Sequence, residues 1–450
     1  MMQGRLAAVG TLTLALFALV CGWQTAAGEE KRVKCLCDHI ADLRNAKDAA
    51  DRRIAAQEIG NLGPEAKIAV ETLQDALKDE DLLVRQASAR ALGIIGSVAS
   101  DAVPDLIRAL EKPENQQTQI VTGALLGIGP AGVAGLTNAL KDRNPKIRAA
   151  AAAAFCRAGS RGKRAVPALL ALLKDADGAV RAGAASALGA IGADEKECVP
   201  ALVAILKKDR QPACRDAAAW GLGRFGPRAR IAVPDLIAAL KESRLQHNAI
   251  EALGLIGPEA RAAVPALIVF LKGRDEFRRQ IAATALGKIG FAALPSLLDA
   301  LKDDDSGVRI EAANGLGRIG TAAAPAVPAL VGALENDESS EVRKAAAVAL
   351  GLIGPAAKAA LPALLRALKD KECPFRRAAA ESTGSIGGAA SVTGFMTALS
   401  DADDDLLPGA AIGLQRIGPA AVPALVAALQ GEDRALRSRI TAILCKIGGP

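Results

Sequence analysis

An all-α solenoid of about thirteen stacked helix-turn-helix repeats is the fold class that this 450-residue sequence predicts. Three observations predict it. A glycine closes a similar segment at positions 63, 96, 129, 159, 192, 226, 257, 290, 320, 354, 387, 418 and 448, a mean spacing of about 32 residues, and a period in that range marks stacked supersecondary units. Within each segment the apolar residues recur at helical spacing. The composition is 51% hydrophobic yet only 2% aromatic, with no Tyr. Ala, Leu, Val and Ile therefore fill the interior, and small side chains call for closely packed helices where Phe, Tyr and Trp would otherwise occupy the volume.

The first segment reads as an address. Arg5 precedes the apolar run Leu6 to Val20, and Thr25-Ala26-Ala27-Gly28 offers small residues for cleavage after Ala27 or Gly28, the pattern of a secretory signal peptide. The run of about 15 residues is short for a membrane span, which needs roughly 20. Beyond it, Pro, Gly or charge is expected to interrupt every other apolar run, so no transmembrane span is expected after signal removal. The expected organisation is a signal peptide over 1–28, a leader over 29–37 and the repeat solenoid over 38–450. Export places the protein in the periplasm or outside the cell.

Loss of the signal leaves Cys35, Cys37, Cys156, Cys198, Cys214, Cys373 and Cys445. Their odd number and irregular spacing make no disulfide framework. Cys198 and Cys214 are read as lying at opposite ends of one helix, too far apart to bridge. Cys35-Leu36-Cys37-Asp38-His39 lacks the C-x-x-C-H spacing and a second ligand pair, and no metal or other cofactor is assigned to the chain.

Each repeat can be built from its residues. A Val-Pro step opens the first helix, as at Val103-Pro104, Val166-Pro167, Val233-Pro234, Val264-Pro265 and Val422-Pro423, because the missing N–H of Pro has no intrahelical partner in the first turn. A turn such as Lys141-Asp142 comes next. The second helix begins near a Val-Arg pair. With that Arg counted as zero, apolar residues fall at −1, +3, +7 and +10 on one helical stripe. The closing glycine at +11 is expected as a left-handed C-cap. A second glycine sits inside the helix at +8 in nine of the thirteen units. It costs roughly 1 kcal/mol against Ala, a recurring loss that close helix approach would offset. Cys156 and Cys445 occupy this +8 column and read as small apolar substitutes. No repeat buries enough to stand alone, so neighbours must stabilise one another.

The segment Val84-Arg85-Gln86-Ala87-Ser88-Ala89-Arg90-Ala91-Leu92-Gly93-Ile94-Ile95-Gly96 and its counterpart Val342 to Gly354 carry a motif A-L-G-x-I-G, seen again at Ala187-Leu188-Gly189-Ala190-Ile191-Gly192. This pattern resembles the HEAT-like repeats of the phycobilisome-lyase type, from about residue 38 to 450. The resemblance implies a ladder of turn Asp and second-helix Arg. Here Asp79/Arg85, Asp142/Arg148, Asp175/Arg181, Asp209/Arg215, Asp303/Arg309, Asp337/Arg343 and Asp370/Arg376 all keep a six-residue offset. The Asp can accept backbone N–H bonds and the Arg can bridge to it or to nearby carbonyls. The column fails at Thr118, Gln246 and Leu407, whose units are expected to be looser or bent. The acidic run Asp401 to Asp405 lacks the turn Gly and terminal Glu of a calcium loop and reads as a helix N-terminal cluster.

Composition also bounds the function. Two histidines leave little room for imidazole catalysis, and neither precedes a Glu, which excludes the paired His-Glu iron site of the hydroxylase branch that the resemblance brings in. A net charge of +7 is too mild to demand nucleic acid. The expectation is an exported, non-catalytic scaffold that binds a protein partner on its second-helix face. The +9 column there holds Arg157, Arg224, Lys288, Arg318, Arg416 and Lys446 and no acid. Trp220, one turn before Arg224, is a candidate anchor. Two alternatives accompany this reading: a bilin-lyase or isomerase-like enzyme subunit, and a binder of an anionic polymer through the basic stripe. The chain ends at Gly448-Gly449-Pro450 without a polar capping helix, so its last apolar face is expected to stay partly open and to pair with a second copy.

Overall fold

The computed structural model describes residues 35–111, 115–370, 372–387, 389–400, 407–431 and 433–447. The proposed signal peptide, most of the leader and the Asp401 to Asp405 run lie outside them. Among the described residues there is no β-strand. The fold is an all-α solenoid of paired helices.

Two compact units divide the chain at Asp194/Glu195. The first holds α1 (Leu36–Asn45), α2 (Ala49–Asn61), α3 (Val70–Ala76), α4 (Leu82–Ile95), α5 (Val103–Arg108), α6 (Asn115–Ile128), α7 (Pro130–Ala139), α8 (Pro145–Ala158), α9 (Val166–Leu172) and α10 (Gly178–Ile191). The second holds α11 (Glu195–Lys208), α12 (Pro212–Arg224), α13 (Val233–Ala239), α14 (Gln246–Ile256), α15 (Val264–Leu271), α16 (Glu276–Ile289), α17 (Leu294–Ala300), α18 (Ser306–Ile319), α19 (Val327–Asn336), α20 (Ser340–Ile353), α21 (Leu361–Lys369), α22 (Arg376–Ile386), α23 (Ala389–Ser400), α24 (Leu407–Ile417), α25 (Val422–Ala428) and α26 (Arg434–Ile447). Even-numbered helices are the second helices of the repeats. Within each unit every second helix packs on the second helix of the next repeat. Cys198 and Cys214 belong to different helices, α11 and α12. They flank α11 as expected, Cys198 in its first turn and Cys214 beyond its far end after Pro212, and both side chains are buried.

Local chemistry explains the elements. Asp81, Asn144, Asp177, Asp275 and Asp305 cap second helices by accepting backbone N–H bonds, the role short polar side chains play at N-caps. All twelve closing glycines within the described residues have positive φ. Gly192 lies in the left-handed helical region, with φ 64° and ψ 24°. Gly96, Gly257 and Gly354 instead show φ of 71° to 77° and ψ near −140°. The expected left-handed cap is thus corrected at those positions to a mirror-extended conformation open essentially to glycine. The next segment supplies the reason. The chain does not leave the helix but re-enters a 3-10 turn such as Gly96–Ala102 or Gly257–Ala263, before Val-Pro starts the next α-helix.

That continuity also corrects the expectation that every apolar run is interrupted. Gln246–Leu271, Glu276–Ala300, Ser306–Asn336, Ser340–Leu368 and Ala410–Ala428 are helical runs long and apolar enough, by length and composition, to cross a membrane. Between 28% and 50% of the apolar window in each is buried against neighbouring protein. At the far end α26 buries Ile440 and Ile443, half-buries Leu436, Leu444 and Ile447, and exposes Ser438, Thr441, Ala442 and Cys445. The outward positions of that helix are small or polar, so the end is less apolar than its sequence led us to expect.

Candidate functional site

Two devices hold neighbouring second helices together, and the site arises where both fail. The first is a seam of small residues. A Cβ built on Gly93 would lie 2.7 Å from the Cα of Ala124, on Gly254 2.8 Å from Ala285, on Gly317 2.8 Å from Ala349 and on Gly384 2.4 Å from Gly413. These four +8 glycines therefore receive the +6 backbone of the next repeat, and no larger side chain fits at that distance. This close approach offsets the low helix propensity of the glycine.

The second device is the ladder. Arg148 donates from Nη1 to the carbonyls of Asp142 and Arg143, at 2.9 and 3.1 Å, and from Nε and Nη2 to the carboxylate of Asp175 in the next repeat, at 2.8 and 2.9 Å. Arg309 does the same with the Asp303 carbonyl at 2.8 Å and the Asp337 carboxylate at 2.8 and 2.9 Å. Arg52, outside the pairs read from sequence, is a further rung, binding the Asp79 carboxylate at 2.8 and 2.9 Å. Arg181, Arg215 and Arg343 reach the carbonyls of Asp175, Asp209 and Asp337 at 2.8, 3.0 and 2.6 Å. The six-residue pairing is thus corrected. It is a side-chain to main-chain bond, and the ion pair joins residues 27 or 28 apart. Fork geometry explains this, since one guanidinium can serve the carbonyls and a carboxylate together. Arg376 departs further, donating to the Leu368 carbonyl at 3.2 Å. In turn Asp79, Asp175, Asp209, Asp303 and Asp337 accept the backbone N–H two residues on.

These contacts set the charges. Hydrogen bonds from Arg148 hold the Asp175 carboxyl below the usual carboxylate range, against the opposing effect of burial. At Asp79 and Asp337 burial is the largest influence and works upward, but the Arg52 and Arg309 hydrogen bonds and the turn N–H outweigh it, and both stay depressed. Asp303 is also lowered against burial, by the Asp305 N–H and by Lys272, whose Nζ lies 3.2 Å away.

The three ladder failures behave differently. Gln246 keeps the main-chain half of the rung, donating to the Leu240 carbonyl at 2.9 Å, and Gly254 keeps the seam. That junction is closed, although α14 starts only at Gln246, which corrects the expectation of looseness there. At Thr118 the +8 residue is Leu126, and at Leu407 it is Gln415. Both junctions open. A depression of about 880 Å³ lies over α4, α6 and α8, bordered by Arg90, Ile94, Gln119, Gly123, Cys156 and Arg157. A smaller one of about 200 Å³ lies against Gln415, Arg439 and Ile443. Leu126 explains the larger. It is buried at 6% exposure and stands in the column where glycine admits the next helix at the closed junctions.

The structure separates the predicted binding residues. In the first unit Arg157 is exposed and crosses to α6, donating to the Gln119 carbonyl at 3.0 Å. In the second unit Arg224, Lys288, Arg318, Arg416 and Lys446 are exposed. Arg224 lies over the half-buried Trp220 ring at 5.7 Å, within cation–π range. The +9 side chains rest on the preceding seam: the Arg318 stem lies over Gly287, and Leu352 and Leu255 lie over Gly317 and Gly223. The basic column is therefore interrupted by exposed Leu352, and Arg318 rests its stem on the seam while the residue stays exposed. Arg90, at +5, was missed because that column carries no other cation. Leu126 in a glycine column was the signal that pointed to it. Cys156 borders the groove, but burial pushes its thiol up to about 11, so the nucleophilic thiolate is scarce at neutral pH. Cys35 caps α1 and pairs its N–H with Asp38 at 2.9 Å.

The sequence matches the family of HEAT repeats over residues 38–126, 133–198, 199–287, 264–351 and 327–412. No curated protein sequence matches it. Among solved structures it is similar to the karyopherin Kap121p bound to the extreme C-terminus of the protein phosphatase Cdc14p, at 15% identity and TM-score 0.51, over 92% of this chain and 54% of that one. It is also similar to Kap95p, whose binding induces the switch loops of RanGDP to adopt the GTP-bound conformation, at 16% identity and TM-score 0.58, over 98% of this chain and 69% of that one. The chain thus spans about half the length of Kap121p. At such identities the likeness shows the solenoid fold alone.

Proposed function

The chain belongs to the HEAT-repeat family, and from that premise we propose that it is an exported, non-catalytic scaffold that binds a protein partner on its second-helix face. Within the family we place it with the phycobilisome-lyase type on the A-L-G-x-I-G motif. The observation that carries the binding reading is the second-helix surface itself. It combines exposed cationic residues, the Arg224–Trp220 pair and the exposed apolar residues Val348, Leu352 and Ile412. Aromatic and arginine anchors beside apolar surface are the composition of protein interfaces. Solenoids of like fold hold protein partners, as Kap121p holds the Cdc14p C-terminus. Export rests on the Arg5, Leu6 to Val20 and Ala27-Gly28 pattern.

The test is capture from the periplasmic or extracellular fraction with the tagged full-length chain, followed by identification of what is retained. A protein retained by the wild type and lost on Trp220→Ala with Arg224→Ala supports the reading. Retention of no protein sinks it. The exposed cations favour one competing reading, an anionic polymer. That reading requires affinity to fall steeply with salt and to vanish when Arg224, Lys288 and Arg318 are neutralised together.

A further inference from the structure

The groove over α4, α6 and α8 is built by two coincident departures from the repeat. Thr118 removes the rung that would tie α6 to α8, and Leu126 blocks the seam. Neither change alone produces an opening elsewhere: Gln246 without Arg stays closed, and Cys156 at +8 stands beside an intact Arg148–Asp175 rung. Among the described residues its border carries two arginines, Arg90 and Arg157, and no acid. Arg157 spends one N–H on the Gln119 carbonyl, which leaves the rest of its fork for an anion. Small residues line much of the rest, with Ala153 exposed, so a main chain can approach closely. Second helices pack about 8–10 Å apart, so three of them span roughly 20 Å, the length of about six extended residues.

We propose that this groove docks an extended acidic segment of a partner protein, with Arg90 and Arg157 binding its carboxylates and the exposed Gln119 amide binding its main chain. The proposal rests on the scaffold reading and adds the site and the chemistry of the bound segment. Two arginines suit a short run of carboxylates. No aromatic side chain borders the groove, so it lacks the stacking platform on which single-stranded nucleic acid depends.

The experiment measures fluorescence anisotropy of the full-length chain with a labelled octapeptide of alternating Glu and Val. The Gln/Val counterpart serves as control. The acidic probe binds, and the control binds about tenfold more weakly or worse. Arg90→Ala with Arg157→Ala costs about tenfold or more, as does Leu126→Gly, which closes the groove without touching a charge. Leu126→Ala repeats that test with less backbone freedom, and far-UV circular dichroism confirms that both variants stay folded. Arg261→Ala, an exposed arginine in the other unit, leaves binding unchanged. Equal affinity for the two peptides overturns the proposal, as does full affinity in folded Leu126→Gly and Leu126→Ala, or tighter binding of polyphosphate or single-stranded DNA. If the captured partner ignores Arg90→Ala with Arg157→Ala, the groove falls while the scaffold stands. If the peptide binds but no partner is captured, the scaffold falls.

Discussion

Helix α8 has two unlike flanks. Toward α10 it keeps Arg148 forked onto Asp175, and the Cβ built on Gly183 meets the Ala152 Cβ at 3.3 Å. Toward α6 it faces Thr118 and Leu126, and the 880 Å³ groove lies there. The difference teaches that seam and ladder back each other up. The Gln246 junction has lost its arginine and survives on Gly254 against Ala285. The junctions that lost both, at Thr118/Leu126 and Leu407/Gln415, have opened.

The comparison can be broken most strongly at an intact rung. Arg309→Met leaves Asp337, whose side chain is 10% exposed, without its forked partner. The expected loss is about 2–3 kcal/mol, read as early urea unfolding and as faster amide exchange in α18 and α20. Next, Gly254→Leu inserts a side chain where Ala285 Cα stands 2.8 Å from the Cβ position. Overpacking there costs about 1–3 kcal/mol. Because Gln246 supplies no ion pair, a new groove is expected, seen as increased binding of a hydrophobic dye and as exchange localised to α14 and α16.

Acid attacks the ladder alone. Asp79, Asp175 and Asp337 have depressed folded values. Their contribution is complete above the ordinary carboxylate value of about 4 and is lost as pH falls through the lower folded values. The melting temperature should drop below about pH 4, and the gap between wild type and Arg309→Met should narrow there. A melting difference that stays constant down to about pH 2 breaks the ladder half of the comparison. The smallest effect sharpens it from the other side. Thr118→Arg adds a rung toward Asp142, and a gain of about 0.5–1 kcal/mol is expected, visible as a small rise in melting temperature at low salt.

Much of this was legible in the residues. The thirteen closing glycines marked the repeats, and positive φ is present at the twelve that are described. Their ψ was not legible, since it depends on the 3-10 turn after each of them. The +8 glycines announced a close approach, but their partner at +6 belongs to another repeat and leaves no local mark. The ladder was half visible. A constant offset of six drew attention to the main-chain bond and hid the ion pair across 27 residues. Of the groove, Arg157 and the anomaly at Thr118 were found, while Arg90 was passed over.

Local order in this protein comes from short-range chemistry that the chain carries with it: helical spacing, Asp and Asn caps, Val-Pro starts and glycine stops. Which arginine meets which carboxylate, and where two helices part, was decided only when repeats stacked. Those outcomes depend on distances of a few ångströms between backbones about 30 residues apart, where a Leu in place of Gly leaves them open once the arginine rung is gone as well.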